Sequence, residues 1–157
     1  MKVNKRLLTV CIAIPLLVGI TAGFLTRNSM AVFESAAKPP LSPPAWLFPI
    51  VWTILYTLMG ISSYIVVTSN APKSKIENTI RIYVIQLIVN FLWPFFFFQL
   101  GWYEFSFLWL LLLWLLVFLM IWKFNEISKI SAYLNLLYLL WLTFAAYLNY
   151  GIWRLNL

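Results

Sequence analysis

The chain has 157 residues, 64% hydrophobic and only 10% charged, with a net charge of +7. That apolar content excludes an ordinary soluble domain, and no polar stretch is long enough to form a nucleic-acid-reading domain around the basic surplus. One cysteine, Cys11, excludes an intrachain disulfide framework, and histidine and aspartate are missing altogether.

A membrane-crossing helix needs about 20 apolar residues, and the sequence holds five such runs. The first, about 7–26, follows the basic "MKVNKR". It exceeds the apolar core of a signal peptide, so it reads as a retained span. Pro15 is expected to bend it, and Gly19 and Gly23, four apart, offer a close helix contact. Cys11 reads as a small apolar wall residue. The long segment 27–45, rich in Pro and Ala, leads to span two at about 46–68. The polar turn "SNAPKSKIEN" precedes span three at about 79–100. The tight "LGWYE" makes a hairpin with span four at about 103–122, and "KFNEISKIS" joins span five at about 132–153. The expected fold is one all-α membrane domain over 1–157, a five-transmembrane-helix bundle. Runs such as "FFFF" (95–98) read as lipid-facing or packing surface. Trp46, Trp102, Tyr103, Trp122, Tyr133 and Trp153 near span ends read as an interfacial belt.

Orientation follows from the basic residues. Lys2, Lys5, Arg6, Lys73, Lys75, Arg81, Lys123 and Lys129 fall on one side, against Arg27, Lys38 and Arg154 on the other. This places the protein in the cell membrane with a cytoplasmic N-terminus and an external C-terminus.

The acids are Glu34, Glu77, Glu104 and Glu126, all in connectors or at span ends. Ion-coupled carriage by an intramembrane carboxylate, paired-carboxylate hydrolysis, a His-based triad and a His/Cys metal site are all unsupported. The polar groups inside the spans are neutral, and they are not scattered. Trp52, Tyr56, Gly60 and Ser63 share one face of span two. Tyr83, Gln86, Asn90, Trp93 and Phe97 share one of span three, and Trp141, Ala145, Asn149 and Trp153 one of span five. At about 1.5 Å per residue, Trp52, Trp93 and Ala145 each lie roughly 10 Å from span ends on the side of the 27–45 connector. The stripes fit two readings: helix packing with interhelical hydrogen bonds, or a pocket for a large, mostly apolar ligand held by stacking and a few polar contacts.

"KPPLSPPAWLFPIVWTILYTLMGIS" (38–62), "QLIVNFLWPFFFF" (86–98) and "WLTFAAYLNYGIWRLN" (141–156) resemble the TspO/MBR family of tryptophan-rich sensory and translocator proteins. The resemblance covers nearly the whole chain. It implies a five-helix bundle with a ligand pocket under the first connector. Implied ligands are porphyrins, haem, sterols and isoquinoline- or benzodiazepine-type compounds, with a homodimeric assembly. It also implies light-dependent oxidative degradation of protoporphyrin, transport of such compounds or porphyrin-responsive regulation. The family's pocket maps to Trp52, Asn90, Trp93, Trp141 and Ala145, with Phe33 closing from the connector; Tyr56 and Asn149 join them from the stripes. Trp52 and Trp141 are the candidates for photo-oxidation. A sterol-recognition pattern maps to Leu148, Tyr150 and Arg154.

Two positions depart from the family's pattern. Leu41-Ser42-Pro43-Pro44 lacks a tryptophan frequent there. Thr143 replaces a frequent alanine and is expected to add a hydroxyl near the pocket. With no histidine, strong axial iron ligation is not expected, so a metal-free porphyrin is as good a candidate as haem. No required cofactor and no metal site are expected.

Overall fold

The computed structural model describes residues 3–157; Lys2, counted above in the basic N-terminal flank, lies outside them. The apolar runs become helices because, in lipid, each backbone N–H must find its carbonyl within the segment. Helix α1 spans Lys5–Thr26, and its N-cap Asn4 accepts from Leu7 N–H at 3.1 Å. It continues unbroken through the buried Pro15. A 3₁₀ turn at Arg27–Ser29 leads to the short α2 (Met30–Ser35), followed by α3 (Leu47–Val67). Then come α4 (Lys73–Pro94), a π-helical turn at Phe95–Gln99, α5 (Tyr103–Asn125), α6 (Lys129–Leu134) and α7 (Leu136–Leu155). Five helical segments are long and apolar enough to cross a membrane: α1, α3, α4 with its π turn, α5, and α6 with α7. No strand occurs among the described residues.

The observed bounds differ from the expected spans where a helix outruns the lipid. α4 begins at Lys73, six residues before the expected span. Its first turns are polar and follow Pro72, and Lys73 meets Glu77 one turn on at 3.8 Å. α5 runs on to Asn125. The fifth span breaks at Asn135, whose side-chain N–H groups donate to Ser62 Oγ (2.6 Å) and Ser131 O (3.0 Å). The 27–45 connector is also partly helical, through the 3₁₀ turn and α2.

α1 packs on α3 and α4, α5 on α4 and α7, and α6 on α3 and α5, so the spans close into a ring. Met59, Val66, Val117, Met120, Phe124 and Leu142 form its fully buried centre. α1 sits close on α3 because Gly60 has no side chain: a Cβ there would stand 2.4 Å from Ile12 Cα and 2.7 Å from the Cys11 carbonyl oxygen. Apolar residues such as Leu17, Ile20 and Leu140 turn outward. Of the expected belt, Trp46, Trp102, Trp122 and Tyr133 are exposed near helix ends. Tyr103 instead turns inward, with its ring 5.2 Å from that of Phe97, because the short hairpin aims the first turn of α5 at the bundle interior.

Candidate functional site

The stripes on α3 and α4 meet in a cavity of about 360 Å3 near the connector end of the bundle. Phe48, Trp52 and Tyr56 line it from α3, Asn90 and Trp93 from α4, and Phe98 from the π turn. The remaining wall is α1, through small or aliphatic residues including Leu16, Gly19, Ala22 and Gly23. Gly19 leaves room for the Tyr56 ring, since a Cβ there would lie 2.1 Å from Tyr56 Cε2, whereas Gly23 faces open space. Gly19 thus serves a contact within the chain, and Gly23 makes none. Arg27 and Ala45 line the cavity from the connector, and Arg27 is the one charged residue of its lining among the described residues, with its guanidinium 4.1 Å from the Phe24 ring centre.

The aromatic geometry is ordered by packing and hydrogen bonds. Trp52 stacks on Tyr56 (centroids 5.3 Å, 29° between planes) and meets the edge of Tyr138. The Tyr56 hydroxyl donates to Asn90 Oδ1 at 2.9 Å. Asn90 Nδ2 donates to the Tyr138 hydroxyl, which donates to Gln86 Oε1 at 2.9 Å. This buried chain ties α3, α4 and α7 together. A neutral amide offers two N–H groups and two lone pairs, so these two bonds use one of each on Asn90. Trp52 Nε1 has no hydrogen-bond partner among the described residues, while Trp93 Nε1 donates to Asn149 Oδ1 at 3.2 Å.

The span-five residues lie elsewhere. Ala145, Leu148 and Asn149 line a separate cleft of about 30 Å3 with Phe33, and Phe48, Trp93 and Phe98 form the partition between the two spaces. Asn149 is spent on structure: it accepts from Trp93 and from Ser106 Oγ (3.1 Å) and donates to the Tyr103 carbonyl (2.9 Å). Trp141 packs behind Phe48 (centroids 5.9 Å) and against Phe144, and lines neither space. Phe33 is buried in an aromatic cluster with Phe48, Phe97 and Phe98.

The sterol-like triplet diverges. Leu148 is buried, whereas Tyr150 and Arg154 face outward around Trp153. Thr143 is not near the cavity as expected. It is exposed on the outer face, accepting from Trp114 Nε1 at 2.9 Å and donating to the Leu139 carbonyl; position 143 is two residues from Ala145, which puts it on the other side of α7. Leu41, where the family's tryptophan is missing, is exposed with φ 67°.

Three contacts fasten the connector to α7. Asn156 pairs with Ala37, accepting from its N–H at 3.0 Å and donating to its carbonyl at 2.9 Å. Tyr147 donates to the Pro40 carbonyl at 2.8 Å. Gly151 admits Pro39, whose Cγ would lie 2.5 Å from a Cβ there. Sequence reasoning missed these anchors, and also Phe48, Arg27 and the whole α1 wall. Arg27 carried a usable signal, as a lone basic residue at the end of an apolar run. The α1 wall carried none, because glycine, alanine and leucine look the same facing a ligand or lipid. Among the described residues no group of three His, Cys, Asp or Glu could hold a metal.

Five membrane-crossing helices around an aromatic cavity beneath the longest connector define a multi-pass membrane protein with a small-molecule-sized site. The sequence model of the TspO/MBR family matches residues 11–154, and the chain belongs to that family. It is 34% identical over 156 residues to the tryptophan-rich protein TspO of Chlorobaculum tepidum, covering 98% of this chain and 99% of the relative. It is 36% identical over 131 residues to protein CrtK of Rhodobacter capsulatus (80% and 79% covered). The translocator protein of Ovis aries is 36% identical over 128 residues, with 79% and 74% covered.

Proposed function

We propose that the chain binds a tetrapyrrole in the α1/α3/α4 cavity and promotes its light-dependent oxidation. The observation that carries this reading is the about 360 Å3 space walled by Trp52, Trp93, Phe48 and Phe98 with the Asn90 amide at its side. Such a set favours a flat, apolar body with few polar groups. Arg27 at the connector side would pair with a carboxylate of the ligand. The 27–45 connector would act as its lid. Protoporphyrin or haem fits this chemistry, and isoquinoline- or benzodiazepine-type ligands would use the same walls. The N-terminus would be cytoplasmic and the C-terminus external.

The bound porphyrin itself absorbs light, and dioxygen is the oxidant. The protein supplies position, exclusion of water and an oxidisable indole rather than acid–base groups. Trp52 would be the indole in this role; its position in the cavity lining and its uncommitted N–H support the reading. Trp141 stands one aromatic ring further out, behind Phe48.

Absorbance of the purified protein with protoporphyrin, in the dark and then illuminated, tests the reading. Trp52→Phe should bind within roughly tenfold of the parent, about 1.4 kcal/mol, yet bleach the porphyrin band far more slowly. Trp141→Phe should bleach at a rate between the two. Trp122→Phe, at an exposed helix end, should match the parent. Parent-like bleaching in Trp52→Phe and Trp141→Phe would remove tryptophan-assisted photochemistry and leave binding or carriage.

A further inference from the structure

The aromatic cavity is walled unequally on the two sides of α1. On one side Ala22 and Thr26 are 4% and 3% exposed, and the wall continues into Trp93, Pro94 and Phe98. Ala22 extends the stripe of Cys11 and Val18, which faces α4, so the cavity is shut toward α4. On the α3 side the lining itself is open to the surroundings. Ile20 is 65% exposed, and Gly23, Pro49 and Thr53 are exposed with it. Residues 20 and 23 share one face of α1, as 49 and 53 share one of α3.

The two helices part here because they are fastened nearer the N-terminus. Asn4 N–H donates to the Tyr64 hydroxyl at 3.0 Å, Ile12 rests on Gly60, and the Tyr56 ring fills the space against Gly19. One turn further on, a Cβ at Gly23 would meet nothing within 4 Å. The roof offers no comparable gap. Asn156 holds Ala37, Tyr147 holds Pro40, and Phe33 is buried among Phe48, Phe97 and Phe98. Arg27 stands at the connector end of the gap, and the seven residues back to Ile20 descend about 10 Å. The gap therefore runs from the membrane surface into the apolar layer.

We propose that this gap is a side window through which the cavity takes its ligand directly from the surrounding leaflet. The inference rests on the tetrapyrrole reading above and adds the route and the orientation of entry. A flat amphiphile lies in a bilayer with its ring among the acyl chains and its carboxylates at the surface, because apolar area leaves water and charge stays in it. It meets the window in that pose, with the ring level with Ile20 and Thr53 and a carboxylate level with Arg27. It slides in edge first, and no charge crosses the apolar layer. Gly23 and Thr53 form the threshold, and their small side chains keep it passable. Ligands are thereby selected by partition into the membrane as well as by fit.

The test mixes proteoliposomes of the full-length protein with protoporphyrin and follows arrival by the porphyrin absorbance band in a stopped-flow cell. Release is followed after dilution into empty liposomes. Gly23→Phe and Thr53→Phe each narrow the window, and should slow arrival and release together by about tenfold while the Kd stays within about threefold. Leu115→Phe, on the outer face of α5, should match the parent, and Tyr147→Phe, which gives up the bond to Pro40, should stay within about twofold of it. Parent-like rates in whichever window variants fold overturn the proposal. So does faster release from them, which would make these residues bound contacts only. Exchange about tenfold faster in Tyr147→Phe overturns it as well, by assigning entry to the roof. A parent that binds no porphyrin refutes the tetrapyrrole reading itself, a result distinct from unchanged rates in the variants.

Discussion

Gly60→Ala is the sharpest structural test of how the bundle is held. The new Cβ would stand 2.4 Å from Ile12 Cα, 2.7 Å from the Cys11 carbonyl oxygen and 2.9 Å from Ile12 N, all backbone atoms. No rotamer change relieves such contacts. Carbon atoms pack at about 3.5–4.0 Å, so α1 must retreat from α3 by about 1 Å over this stretch. Overpacking of this kind costs about 1–3 kcal/mol. Gly23→Ala, on the same side of the bundle, meets nothing within 4 Å. It should gain up to about 1 kcal/mol from helix propensity. Thermal unfolding in one detergent, followed by helical signal, should therefore move in opposite directions for the two variants. A parent-like Tm in Gly60→Ala would refute the claim that bare backbone contact at Gly60 sets the α1–α3 distance.

Four further outcomes are expected. Ala145→Leu places a larger side chain into a cleft of about 30 Å3 beside Phe33 and Phe97, so it should lower stability by about 1–3 kcal/mol and weaken porphyrin binding through the shared Phe48 partition; unchanged titration curves in a folded variant would contradict this. Arg27→Gln should weaken protoporphyrin by a few-fold, about 1 kcal/mol at an exposed site, and leave its dimethyl ester unaffected; equal loss for both compounds would remove the carboxylate contact. Glu126 is held below the usual carboxylate range by its hydrogen bond to Lys123 (3.2 Å), aided by Lys75 at 3.5 Å. Its stabilising contribution is therefore present above that range and lost as pH falls through its lowered value, so Glu126→Gln should flatten the acid side of a stability–pH curve, and parallel curves would count against a stabilising role for these two pairs. Reporter fusions at both ends should place the N-terminus inside and the C-terminus outside, as eight basic residues against three require.

Hydropathy made the five spans legible, because lipid demands long apolar helices and little else does. It reports immersion rather than helicity, however, so it missed the polar opening turns of α4 at Lys73–Glu77, where Pro72 was the available marker. The period of 3–4 residues correctly grouped Trp52 with Tyr56, and Asn90 with Trp93. It could not say which aromatic fills a wall when two compete. Phe48 occupies the place between Trp141 and the cavity, and only the relative rotation of α3 and α7 decides that. Nor could it show that Asn149 is consumed by Trp93, Ser106 and Tyr103, since those partners come from other helices.

The fastening of the connector to α7 has a bearing on biosynthesis. Ala37 and Asn156 are 119 residues apart, and Pro40 and Tyr147 are 107 apart. A ribosome releases the connector more than a hundred residues before these anchors. Throughout that interval α1 and α3 can meet through Gly60, and Phe33 can seat on Phe97 and Phe98 once α4 is in place, while the α7 side of the roof has nothing to hold. The nascent bundle is therefore open along its α7 side until α7 enters the membrane. A lipophilic molecule already dissolved in the bilayer could be enclosed as α7 arrives, with no later opening needed to admit it.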